Sequence, residues 1–302
     1  MTAAIETVGL GKCYGKTWAL QDCTLDIPAH QVVGLVGPNG AGKTTLLHLA
    51  VGLLRPNCGS IQILGRSPVT QPHLVLPRLG FVAQEHPLYR TLTVEDMLVF
   101  GRSSNPQWND AFARTRLAHL GIPLRRSCGT LSGGQQAQVA LVLALAKRPE
   151  LLLLDEPIAS LDPLARQIFQ QLLMESVAAE GHTVLFSSHL VADLERVCDY
   201  VIILAASHVQ VADEIEHVLH SHKRLTGPHD RVASISRTHT VIQTRKAERH
   251  TTLLVRLHGP MLDPAWIVED VTLEDIVLGY LAQPAHNTPF AGQAGNRLEV
   301  VQ

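Results

Sequence analysis

The sequence has 302 residues and a net charge of −2, room for one large domain with an extension. With 25 Lys and Arg against 27 Asp and Glu there is no basic field of the kind that holds proteins on nucleic acid, so no nucleic-acid partner is expected. Although 46% of the residues are hydrophobic, runs such as residues 151–154 and 201–206 stop far short of the ~20 that a spanning helix requires, and residues 1–10 lack the basic start and apolar stretch of a secretory signal; a cytoplasmic protein is expected.

In chain order, residues 17–27 alternate through Trp18, Leu20, Leu25 and Ile27, the pattern of an antiparallel strand pair with Lys16 at its turn. From about residue 31 to 211 short apolar runs alternate with helix-length amphipathic segments, which predicts an α/β domain with a largely parallel sheet. Its strands are interrupted by a helical insert, about residues 85–145, in which helices are expected over 93–101 and 110–120, the second ended by Gly121 and Pro123. Together these make residues 1–220 one domain. After His220 the composition turns polar and basic (Lys223, Arg224, Gly227, Pro228), and residues 221–236 are expected to be a linker. A small α+β extension is expected over 237–282, from the alternation of Leu253, Val255 and Leu257 and the helical stripe of Leu273, Ile276, Val277, Tyr280 and Leu281. Residues 283–302 lack periodicity and are expected to form a disordered tail. The five cysteines are scattered and never spaced as CxxC, which suggests neither a disulfide framework nor a zinc site.

Several short motifs carry chemistry. The apolar run 33–36 leads into Gly37, Pro38, Asn39, Gly40, Ala41, Gly42, Lys43, Thr44 and Thr45, a G-x-x-x-x-G-K-T loop in strand, loop, helix context. Its glycines let successive backbone N–H groups converge on phosphate oxygens, and the helix N-terminus adds partial positive charge. Lys43 would reach the β- and γ-phosphates, and Thr44 would ligand Mg²⁺. The run 151–154 ends in Asp155 and Glu156. Because side chains alternate along an extended chain, Asp155 suits a metal and Glu156 the attacking water. Asp162 before Pro163 is a helix start. His189 follows the apolar run 183–186 at its carboxyl end, where ligands collect on open α/β sheets. Leu131, Ser132, Gly133, Gly134 and Gln135 open another helix, a second end able to bind phosphate. One ATP has little use for two such cradles in one chain, but two chains packed head to tail would bury nucleotide between them.

With these motifs the chain resembles the ABC-type ATPases over roughly residues 5 to 220. Tyr14 lies in Leu10-x-Lys12-x-Tyr14-Gly15, Gln84 ends Phe81-Val82-Ala83-Gln84, the name-giving motif is Leu131 to Gln135, the D-loop is Ser160-Leu161-Asp162, and His189 follows Ser187-Ser188. The resemblance implies the ABC cassette of the P-loop NTPases, with an N-terminal antiparallel β-subdomain and a helical subdomain, that binds ATP and Mg²⁺ and hydrolyses ATP. It implies that Tyr14 stacks on adenine, that Gln84 contacts Mg²⁺ and reports to a membrane partner, and that His189 holds the γ-phosphate and the water. Ser132 and Gly134, with Gly133 and Gln135 beside them, would act in trans on the ATP of a homodimer partner or of a second, different cassette. The implied main partner is a separate transmembrane permease, which would keep the chain peripheral on the inner face of the cell membrane. Residues 271–278 resemble the closing helix of many bacterial export-type cassettes associated with drug and lipid efflux, so export is the expected direction. A soluble ABC ATPase working away from membranes is the alternative; such proteins generally carry two cassettes or a long coiled-coil insertion. The chain departs from the family pattern at Gln138 and Leu143, where basic residues are common, and at Ile158, where a small polar residue is usual.

Overall fold

The computed structural model describes residues 3–261 and 263–282, so the tail expected over 283–302 lies outside the described residues. Two long strands, β1 (Ala3–Tyr14) and β2 (Thr17–Pro28), form an antiparallel hairpin that turns at Gly15 and Lys16. With β4 (Cys58–Ile63) they make a three-stranded sheet of order β2-β1-β4. The larger sheet contains β3 (Val32–Val36), β5 (Leu79–Val82), β6 (Leu151–Leu154), β7 (Thr183–Ser188), β8 (Tyr200–Ala205) and β9 (His208–Glu214), in the order β5-β6-β7-β3-β8-β9. Its first five strands run parallel, and β9 closes the edge antiparallel.

Strands buried on both faces read as continuous apolar runs, and their side chains still alternate between the two sides. Val32, Val36, Leu152, Leu154, Val184 and Phe186 enter one core, shared with the helices Val94–Ser104, Gly133–Ala146 and Pro163–Glu180. Val33, Leu35, Leu151, Leu153 and Leu185 enter the other, against the helix Lys43–Ala50 and the three-stranded sheet. The parallel strands therefore end together at one edge, and their carboxyl ends carry the phosphate loop, Asp155, Glu156 and His189. Of the departures noted in the sequence, Gln138 and Ile158 are buried, Ile158 within the first core, where an apolar side chain fits better than a polar one.

The segment 221–236 is not a linker. It holds β10 (His222–Gly227) and the start of the helix Val232–Thr238, and β10 lies inside an antiparallel sheet of order β11-β12-β10-β13 with β11 (Thr240–Lys246), β12 (Thr251–Arg256) and β13 (Ile267–Glu269). Polar composition misled here because two of the strand's six residues, Lys223 and Arg224, are charged. Leu225 is buried with Ile235, Leu253, Val255 and Trp266, while Lys223 and Arg224 form ion pairs with Asp270 (2.6 Å) and Asp275 (2.8 Å). The closing helix Leu273–Leu281, started by a Thr272 and Asp275 capping box, returns to the first core and packs beside β8 and β11.

The C-terminal unit is latched by a buried pair. His222 Nδ1 donates to the Val218 carbonyl at 2.7 Å, and its Nε2 accepts from the Tyr280 hydroxyl at 3.0 Å. Burial pushes the imidazole down from 6.5 to about 4 and the phenol up to about 12. A histidine held neutral in the fold binds fewer protons than in the unfolded chain, so its contribution is complete above about pH 6.5 and is lost as pH falls toward 4. The full loss is worth about 3 kcal/mol. Melting followed at pH 7.5 and pH 5 should show a drop that shrinks in His222→Gln; an equal drop in both chains would contradict the latch.

Candidate nucleotide site

The loop between β3 and the helix Lys43–Ala50 depends on two close backbone approaches. Gly42 has φ +107°, and a Cβ there would lie 2.3 Å from the Ala19 carbonyl oxygen; one at Gly37 would lie 2.3 Å from that of Leu204. Only glycine fits at either position. No side chain caps the helix N-terminus, which leaves its first N–H groups to an anion. They open on a cleft of ≈ 390 Å³ lined by Ala19, Pro38, Asn39, Gly40, Gly42, Lys43, Thr44, Thr45, Gln84, Glu156 and His189.

Within the cleft the charged groups already meet. Lys43 Nζ donates to the carbonyls of Gly37 (2.7 Å) and Pro38 (3.3 Å) and sits 3.1 Å from Glu156 Oε1. That ion pair is too poorly aligned to be a hydrogen bond, and Oε1 has no hydrogen-bond partner among the described residues. Its other oxygen, Oε2, accepts from His189 Nδ1 at 2.7 Å. Lys43 and Glu156 are both buried, while His189 stays partly open to solvent. Glu156 adopts φ +47°, a left-handed conformation that a side chain with a Cβ rarely takes. Ser187 stabilises this turn: its hydroxyl accepts from the Glu156 N–H at 2.8 Å and donates to Asp155 Oδ1 at 3.0 Å. Thr44 Oγ1 also donates to Asp155 Oδ1, at 3.2 Å. Thr44 and Asp155 thus bring two hard oxygen donors together, with Gln84 across the cleft, a set that suits Mg²⁺.

The structure thus brings together Lys43, Thr44, Thr45, Gln84, Asp155, Glu156 and His189, with Gly37 and Ala41 forming the buried back of the loop. Other predicted residues lie outside this cleft. Tyr14, 53% exposed at the end of β1, has the Lys12 ammonium 5.6 Å from its ring centre. Ser132 and Gln135 form a capping box at the start of the helix Gly133–Ala146, with reciprocal hydrogen bonds of 3.2 Å, and Gly133 faces open space. Gly134 lets the Pro163–Glu180 helix approach: a Cβ there would lie 2.8 Å from that of Ala165. Asp162 caps that helix by accepting from the Ala165 N–H at 2.9 Å. The residue that motif reading passed over is Ser187. Its signal was a hydroxyl directly after the apolar residues 184–186 of β7, since such a buried group needs a partner.

The family model described as ABC transporter matches residues 20–159. The sulfate/thiosulfate import ATP-binding protein CysA of Salmonella typhi is 35% identical over 227 residues, 71% of this chain and 61% of that protein. The Nod factor export ATP-binding protein I of Rhizobium johnstonii is 34% identical over 221 residues, 72% of this chain and 70% of that protein. Among solved structures, an ATP binding subunit of an ABC transporter superposes with TM-score 0.64 at 28% identity, covering 72% of this chain and 92% of that one. CbiO1 of Clostridium perfringens, part of the ABC transporter complex cbiONQ, does so with TM-score 0.63 at 26% identity, covering 72% and 91%. The fold is that of the ABC ATPase cassette, and the chain belongs to the ABC transporter ATP-binding family, whose cassettes hydrolyse ATP.

Proposed function

We propose that this chain binds ATP with Mg²⁺, hydrolyses it, and powers a separate transmembrane permease, to which it is bound on the cytoplasmic face of the membrane. The observation that carries this reading is the chain of contacts from Lys43 through Glu156 to His189, set at the mouth of an anion-binding loop. ATP phosphates held by the loop N–H groups would draw the Lys43 ammonium off Glu156. The freed carboxylate then orients and deprotonates the attacking water, and His189 keeps its ring beside both. Thr44, Asp155 and Gln84 would hold Mg²⁺, which would supply neutralisation of phosphate charge.

A second feature supports the permease. A groove of ≈ 560 Å³ runs between the sheet and the helical insert, lined by Leu53, Phe81, Ala83, Met97, Phe100, Trp108 and Leu143 among others. Leu53, Leu76, Tyr89 and Phe100 are exposed around it, an apolar surface suited to a protein partner. Ala83 lines this groove and Gln84 the nucleotide cleft, so adjacent residues face the two sites. Among the described residues no helix is long and apolar enough to cross a membrane, and the permease is a separate chain in this reading. Ser132 to Gln135 and Asp162 complete the site of a second cassette, a copy of this chain or a different one. Export is the proposed direction, supported by the closing helix Leu273–Leu281; the relatives include both an import and an export ATP-binding protein.

ATPase activity of the purified chain, alone and with any membrane protein encoded beside its gene, tests the reading. Stimulation by that partner supports a transporter motor. Hydrolysis indifferent to any membrane protein would favour the soluble ATPase instead.

A further inference from the structure

The four-residue helix Val191–Leu194 begins two residues after His189 and is held on two sides. Its apolar residues Val191 and Leu194 are buried in the same core as Leu273, Ile276 and Val277 of the closing helix, which packs against it. Its polar residue, Asp193, is buried, and Asp193 Oδ1 meets Arg166 Nη1 at 3.4 Å. Arg166 lies in the first turn of the helix Pro163–Glu180, where its N–H donates to the Asp162 carbonyl at 2.9 Å. Asp193 Oδ2 and Arg166 Nε are buried with no hydrogen-bond partner among the described residues.

A buried carboxylate costs free energy that one long contact offsets only in part. Burial accordingly raises the Asp193 carboxyl, and the facing Arg166 works against that rise. The nucleotide chemistry described above does not use either group. What they join is the helix opened by Asp162 and the loop that carries His189, two segments with no other ion pair between them among the described residues.

Building on the ATPase reading, we propose that Asp193 is a positioning residue for His189. Arg166 anchors it from the Asp162 helix and the closing helix Leu273–Leu281 braces it from behind, so that His189 Nδ1 stays on Glu156. The C-terminal unit thereby acts on turnover without touching nucleotide: it forms the back wall of the segment that holds His189. Misplacing a reacting or orienting group by about 1 Å is enough to slow a reaction by orders of magnitude, and a small displacement at the end of a four-residue helix is that kind of change.

The test measures kcat and KM for ATP, together with the melting temperature, for the full chain and for Asp193→Asn, Arg166→Gln, the double variant and Asp193→Glu. Asp193→Asn keeps the shape and removes the charge. The expected result is a kcat about tenfold lower in either single variant with KM for ATP within about twofold. The double variant should be no slower than the slower single, because both act through one contact, and Asp193→Glu should recover most of the rate. An unchanged kcat, a rise in KM alone, additive losses, or a loss of rate that follows the melting temperature instead of the charge would overturn the proposal. A wild-type chain without ATP turnover would overturn the ATPase reading and this proposal with it. A wild type that turns over, a dead Glu156→Gln chain and an Asp193→Asn chain as fast as wild type would sink this proposal alone.

Discussion

Glu156→Gln is expected to lower the turnover number about 10²–10⁴-fold while ATP still binds. The amide keeps the shape of the side chain, so the left-handed turn and the Ser187 contact to the Glu156 N–H survive. Two things are lost: the oxygen that takes a proton from water, and the ion pair that holds Lys43 at 3.1 Å. Without its carboxylate partner the ammonium is freer to meet phosphate, so ATP affinity should be kept or increased. The nucleotide then stays uncleaved, and two cassettes closed over it should persist as a dimer in size-exclusion chromatography with Mg-ATP. A variant that hydrolyses ATP at the wild-type rate would remove Glu156 from the chemistry.

Lys43→Ala should abolish nucleotide binding at concentrations that saturate the wild type. The side chain is the only cation lining the cleft among the described residues, apart from any charge on His189. Loss of a charge-assisted contact to phosphate of about 3 kcal/mol corresponds to roughly a hundredfold in affinity. The same change leaves Glu156 buried beside nothing but His189, so the nucleotide-free chain should also melt lower than wild type. Titration with a fluorescent ATP analogue reads the first effect and a thermal melt the second. Undiminished affinity would mean that the loop backbone alone holds the phosphates.

The phosphate loop was legible because all of its determinants are contiguous: an apolar strand, glycines where a Cβ would strike Ala19 or Leu204, and a helix whose N-terminus needs no cap. The layering of the main domain was legible for a similar reason, since β3 and β6 are apolar throughout, β7 is apolar over residues 184–186, and strands of that kind belong inside a parallel sheet. What failed was a strand whose outward residues carry its meaning. Lys223 and Arg224 looked like the start of a linker until Asp270 and Asp275, far along the chain, supplied their partners.

The same non-locality hid the finer features of the site. Spacing marks Asp155 and Glu156 as a pair but gives no sign that Glu156 turns left-handed or that Ser187 clasps both residues. Nor does it show that Lys43 lies 3.1 Å from Glu156. Asp162 illustrates how one residue type serves two ends. Its carboxylate is already engaged by the Ala165 N–H, so any role toward a second cassette falls to its backbone or requires the cap to open.

Whether the cleft cleaves ATP through Glu156 is read directly from phosphate release from Mg-ATP, with the wild-type chain and Glu156→Gln assayed side by side. Steady release is expected from the wild type, and release at least about a hundredfold slower from the variant. Equal release from both chains, or none from either, would contradict cleavage through Glu156.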